Sequence, residues 1–124
     1  MLQPLSAQAG KAGATVAIQI AIALAQAEVG TKDYVQAERD LESSLTRTEK
    51  AGMRMDSAQI YYLLANCVRL KQGEAQAKNP YREALRMLNL VRYEPGAENI
   101  LKRADVKSMY DESVHYAGDT AGKD

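Results

Sequence analysis

Apolar and polar positions along this chain follow a helical period almost throughout. From about Ala14 to Val29 nearly every residue is apolar or small, so a helix there should be covered on more than one side. The Ile-Ala alternation inside it would also suit a strand. The alanine content and the continuation through Gln26-Ala27-Glu28 favour a helix that stops at Gly30. A second helix carries Tyr34, Ala37, Leu41 and Leu45 on one face and Glu38, Arg39, Asp40, Glu42, Arg47 and Glu49 on the other. Asp33, with Gln36 three residues on, reads as its N-cap, and Gly52 as its end. Asp56 and Gln59 repeat the device for a third helix. Its residues Ile60, Tyr61, Leu63, Leu64, Cys67, Val68 and Leu70 make it largely buried, and it stops near Gly73. Pro80 interrupts the fourth helix. Proline lacks an N–H and clashes with the preceding turn, so the helix is expected to begin late, near Gln76–Lys78, or to kink. Pro95-Gly96 ends it. A last helix is expected over about 97–117, with Asp105 able to split it. Residues 1–13 read as a flexible lead-in and residues 118–124 as a frayed tail.

The pattern also returns at a 40-residue offset. Leu24-Ala25, Ala37, Leu41 and Ser44-Leu45 recur, without a gap, as Leu64-Ala65, Ala77, Tyr81 and Ala84-Leu85. A fixed period in this range marks a helical repeat array. Such arrays present surfaces to partners more often than they perform chemistry. These positions, followed by Pro95, resemble the tetratricopeptide repeat in a longer-period variant of the kind familiar in bacterial multidomain proteins. The resemblance implies an all-α array of antiparallel helix hairpins: repeat 1 over 14–52, repeat 2 over 56–96 and a capping helix over 97–117. Glu28 departs from the pattern, since the family often carries Tyr there. Ala104-Asp105 stands where a Leu-small pair is expected.

Sixteen basic residues balance sixteen acidic ones and are scattered, which argues against nucleic acid as a partner. Ala14–Ala25 imitates the apolar core of an export signal, but only Lys11 precedes it as a positive charge and Gln19 interrupts it. It is also too short to span a bilayer. A cytoplasmic protein without a membrane anchor is the expectation. A single cysteine, Cys67, excludes an intrachain disulfide framework and reads as a small buried filler. The lone His115 reads as a surface residue. No phosphate loop, metal spacing or nucleophile-base set is visible, so no catalytic residue, metal or cofactor is expected.

In the tetratricopeptide family the first helices line a concave groove that holds a partner segment. By register that role falls to Gln19, Ile22 and Gln26, then Gln59, Tyr62, Leu63, Asn66 and Arg69, then Asn99, Lys102 and Arg103. The resemblance implies a mildly basic groove for a protein or peptide partner. One subfamily grips a C-terminal carboxylate with a Lys/Asn/Arg set; only Arg103 matches it, so that ligand is not expected. A second possibility is a homodimer through the first helix, with Ile18, Ile20, Ile22 and Leu24 as candidates. That helix has more apolar surface than one neighbour covers.

Overall fold

The computed structural model describes residues 3–97 and 99–118. Among these it contains five α-helices: α1 (Gln3–Gly30), α2 (Tyr34–Ala51), α3 (Arg54–Gln72), α4 (Glu74–Arg92) and α5 (Ala104–Ala117). A 3-10 turn over Ile100–Lys102 precedes α5, and no strand occurs among the described residues. Each helix packs on the next, and the short connections from α1 to α4 make those neighbours antiparallel hairpins, while a longer stretch leads into α5. α1 also touches α3, and α3 touches α5, so the first helices stand in one row.

The small and large residues of the repeat are mostly packing positions, Leu24, at 51% exposure, being the exception. Ala25, Ala37, Ala65 and Ala77 have no exposed surface, which lets the helix axes approach closely. Leu41 and Tyr81 fill equivalent places in α2 and α4, both fully buried. One apolar cluster joins α1, α2 and α3 around Ile18, Ile22, Leu41, Ile60 and Leu63. Two more join α3 and α4 to α5, around Leu88 and Val106 and around Tyr81 and Leu85. Tyr62, on the central helix, packs against all three.

Several element boundaries differ from those read in the sequence. Helix α1 begins at Gln3, so most of the expected lead-in is helical, and Gly30 continues the helix. The left-handed residue is Lys32, with φ 66°. The N–H groups of Lys32 and Asp33 reach back to Val29 and Glu28 at 3.0 and 2.8 Å, closing a Schellman end around a lysine. Gly52 does the same job for α2 with an ordinary glycine, φ 70°. Asp33 occupies the N-cap of α2 but its side chain makes no capping bond. Asp56 is not a cap at all: Met53 precedes α3, and Asp56 lies in the first turn. There its charge still favours the positive end of the helix dipole.

Helix α4 starts at Glu74, as the repeat register demands, with Pro80 inside it. The single residue Gly73 turns the chain between α3 and α4 with φ 109° and ψ 171°, a conformation open essentially to glycine alone. Proline denies the Gln76 carbonyl its helical donor, but Gln76 is exposed and water can serve. The expected last helix is divided: the 3-10 turn comes first, and Arg103, in extended conformation, precedes α5. Asp105 sits in the first turn of α5 and is not its cap. The tail expected to fray lies outside the described residues beyond Gly118.

Candidate functional site

Along the row of first helices runs a groove of about 540 Å³. Gln19 and Gln26 of α1 form one wall. Met55, Asp56, Gln59, Tyr62 and Leu63 of α3 form the floor, and Arg103, Asp105 and Met109 the other wall. Among the described residues the second helices, α2 and α4, contribute none of the lining. The helical period explains the selection on α3: residues 55, 59, 62 and 63 share one face.

Polar groups bridge the walls. Gln19 Nε2 donates to Asp56 Oδ1 at 3.5 Å, linking α1 to α3. The Arg103 guanidinium grips Asp105 through two bonds, at 2.8 and 3.2 Å, which holds the Asp105 carboxyl below its usual range. Burial pushes the Asp56 carboxyl up. Among the described residues the lining thus holds two carboxylates and one guanidinium already bonded to one of them. The expectation of a mildly basic groove is corrected: charge in the lining is balanced toward acid.

Of the residues the sequence nominated, Gln19, Gln26, Gln59, Tyr62, Leu63 and Arg103 meet in this groove. Ile22 belongs to the α1–α2–α3 core. Lys102 and Asn99 are exposed and do not line the groove. Their nomination depends on the 40-residue period running into a third unit. The turn before α5 lengthens that connection and breaks the register.

Asn66 and Arg69 face a different task. The Tyr81 hydroxyl, fully buried, donates to Asn66 Oδ1 and accepts from Arg69 Nε at 2.9 Å. The Arg69 guanidinium lies 4.4 Å over the Tyr116 ring, and Tyr116 stacks on Tyr81 with 5.0 Å between centroids. Tyr62 donates to Glu112 at 2.9 Å, and burial with that carboxylate beside it pushes the Tyr62 phenol up to about 12. This network fastens α3, α4 and α5 together at one end of the groove. Four groove residues, Met55, Asp56, Asp105 and Met109, carry no groove signal in the sequence. The two aspartates look like helix-start residues there, and the place of Met109 depends on the true start of α5.

The outer side of α1 is unlike the rest. Val16, Ile20 and Leu24 are 55%, 62% and 51% exposed. No charged residue occurs between Lys11 and Glu28. Forty residues on, Ile60 is fully buried against the α2 side of the core, so the repeat equivalent of a packed residue lies bare in α1. Ile18 and Ile22, named as self-association candidates, are 1% and 3% exposed and unavailable for a partner. Helical spacing separates them from Ile20 and Leu24, which point the other way.

Glu28 and Cys67, away from the groove, also carry perturbed acidity. Glu28, half-buried, is raised from 4.5 to about 7 by desolvation and by the neighbouring carboxylates of Asp40 and Asp33. Burial pushes the Cys67 thiol up to about 11, so it stays protonated and weakly nucleophilic at neutral pH. Among the described residues no group of His, Cys, Asp and Glu is placed to hold a metal, and no helix is long and apolar enough to cross a membrane. No family model matches the chain, and no curated protein and no solved structure matches it.

Proposed function

We propose that this chain is a tetratricopeptide-like, non-catalytic interaction module of the cytoplasm that holds an extended segment of a partner protein in the groove. One observation carries the reading. The described lining comes from the row of first helices and the turn into α5, and it sets the carboxamides of Gln19, Gln26 and Gln59 around the apolar side chains of Met55, Leu63 and Met109. A carboxamide both donates and accepts, so it can pair with a peptide backbone of any sequence. Methionine adapts its shape to whatever side chain it meets. The test is selection of peptides from a displayed random library on the immobilised chain, followed by amide chemical-shift mapping. Selected peptides should perturb α1, α3 and α5 along the groove, and Gln19→Arg with Gln59→Arg should weaken them at least about tenfold. Failure to enrich any peptide, or shifts confined to other faces, would sink the proposal.

A second reading rests on the bare stripe of α1. Val16, Ile20 and Leu24 recur every fourth residue and carry no charge among them, which suits an antiparallel copy of itself with Ile20 near the two-fold axis. Sedimentation of the wild type against Ile20→Glu decides it. The wild type should dimerise at micromolar concentration and the variant should not. A wild type that stays monomeric at high concentration rules it out.

A further inference from the structure

α2 and α4 both pack on α3 but touch each other marginally at most. The space left between them is a cleft of about 350 Å³. Its floor is Tyr61, Leu64 and Val68, which the helical period places on the side of α3 opposite the groove. The Pro80 ring forms part of the α4 wall. Around this apolar floor stand three carboxylates: Glu38 and Glu42 of α2, and Glu83 of α4. No lysine or arginine lines it among the described residues.

We propose that this outer cleft docks a cationic amphipathic helix of a partner protein, a site separate from the groove. Its aliphatic side chains would enter over Leu64 and Val68, and its Lys or Arg residues would lie along the glutamate rim. At about 350 Å³ the cleft has room for a few aliphatic side chains, so the partner lies across the rim and inserts anchors. Glu38 and Glu42 are one helical turn apart, about 6 Å, which matches cations spaced one turn apart on a docked helix. Lys71 and Arg86 reach Glu38 and Glu83 from outside the cleft at 3.0 and 2.9 Å, whereas the Glu42 carboxylate has no ion pair among the described residues. A neutral or acidic partner would bury Glu42 uncompensated, which is costly. Burial, and after it the charges of Glu49 and Glu83, push the Tyr61 phenol up, against the opposing Arg86. The acids belong to this cleft and not to the repeat: forty residues on from Glu38 and Glu42 stand Lys78 and Arg82.

The experiment uses the full chain and two fluorescent helical peptides, one built of Leu and Lys and one of Leu and Glu in the same pattern. By anisotropy the Leu/Lys peptide should bind and the Leu/Glu peptide should not. Binding should weaken about tenfold in Glu42→Lys and fall with added salt. Gln19→Arg, in the groove, should leave it unchanged, which separates this site from the one proposed above. Equal binding of both peptides, no binding of either, or loss through Gln19→Arg in place of Glu42→Lys overturns the proposal. Circular dichroism of Glu42→Lys, an exposed position, establishes that the variant is folded.

Discussion

Exchanging the two residues that dispute the end of α1 should stabilise the protein. Gly30 is the last residue of the helix, and a methyl group added there would meet nothing within 4 Å. Replacing glycine by alanine where the backbone is already helical gains about 0.4–1 kcal/mol, so Gly30→Ala should gain an amount in that range. Lys32 holds φ 66°, where its Cβ crowds the following carbonyl. Relieving this gains about 1–2 kcal/mol, and glycine returns about 0.5–1 kcal/mol of it through the greater freedom of the unfolded chain. The two changes together should therefore give about 1.5 kcal/mol. At about 4 °C per kcal/mol for a chain of this size, Tm should rise by about 6 °C in a thermal melt followed by far-UV circular dichroism. The opposite signs are equally informative. If Gly30→Ala lowers Tm while Lys32→Gly is neutral, the chain leaves the helix at Gly30, and the α1–α2 hairpin has a different geometry. The matter bears on function, because this hairpin sets the angle at which Gln19 and Gln26 wall the groove.

Three further outcomes are expected. Tyr81→Phe removes the hydroxyl that serves both Asn66 and Arg69, and should cost about 1–3 kcal/mol in urea unfolding because Asn66 loses a donor in a half-buried place; an unchanged midpoint would show the network to be idle. Pro80→Ala restores an N–H for the Gln76 carbonyl, so part of the roughly 3 kcal/mol difference between the two residues in helices should appear as added stability; a lower Tm would mean the ring is needed for packing. Glu28 has its carboxyl raised to about 7 in the folded state, so the native protein binds the extra proton. Its contribution is fully present below about pH 4.5 and is lost as pH rises through about 7. Tm should fall across that window in the wild type and less so in Glu28→Gln, and parallel curves for the two would refute the assignment.

The helices are legible in the sequence because each has its own period and its own small residues. Ala37, Leu41 and Ser44 are buried where their spacing places them, and so are Ala77, Tyr81 and Ala84. The same register brings Gln19, Gln26, Gln59 and Tyr62 to one groove. Local chemistry is a poorer guide at the ends. Gly30 and Asp56 each look like a terminus, yet the chain turns at Lys32 and α3 begins after Met53, while Asp33 holds its N-cap place without a side-chain capping bond. Hydrogen bonds closing the turn at Lys32 outweigh one residue's conformational preference. Pro80 looks disruptive, yet the helix continues through it, at a place where Gln76, whose carbonyl it leaves without a donor, is an exposed residue.

Sequence alone determined which positions of α2 and α4 pack, since burial of a periodic apolar face is a property such a helix carries along its own length. Tertiary structure decided what the remaining residues do, because that depends on which helix stands opposite. Ile18 and Ile20 are two residues apart and chemically identical, but α2 and α3 cover the first and leave the second bare. Asn66 and Arg69 turn inward only because Tyr81 and Tyr116 arrive from α4 and α5 to meet them. Asp56 and Asp105 come to line one groove only when α3 and α5 are set in the same row. No period within a single helix encodes those meetings.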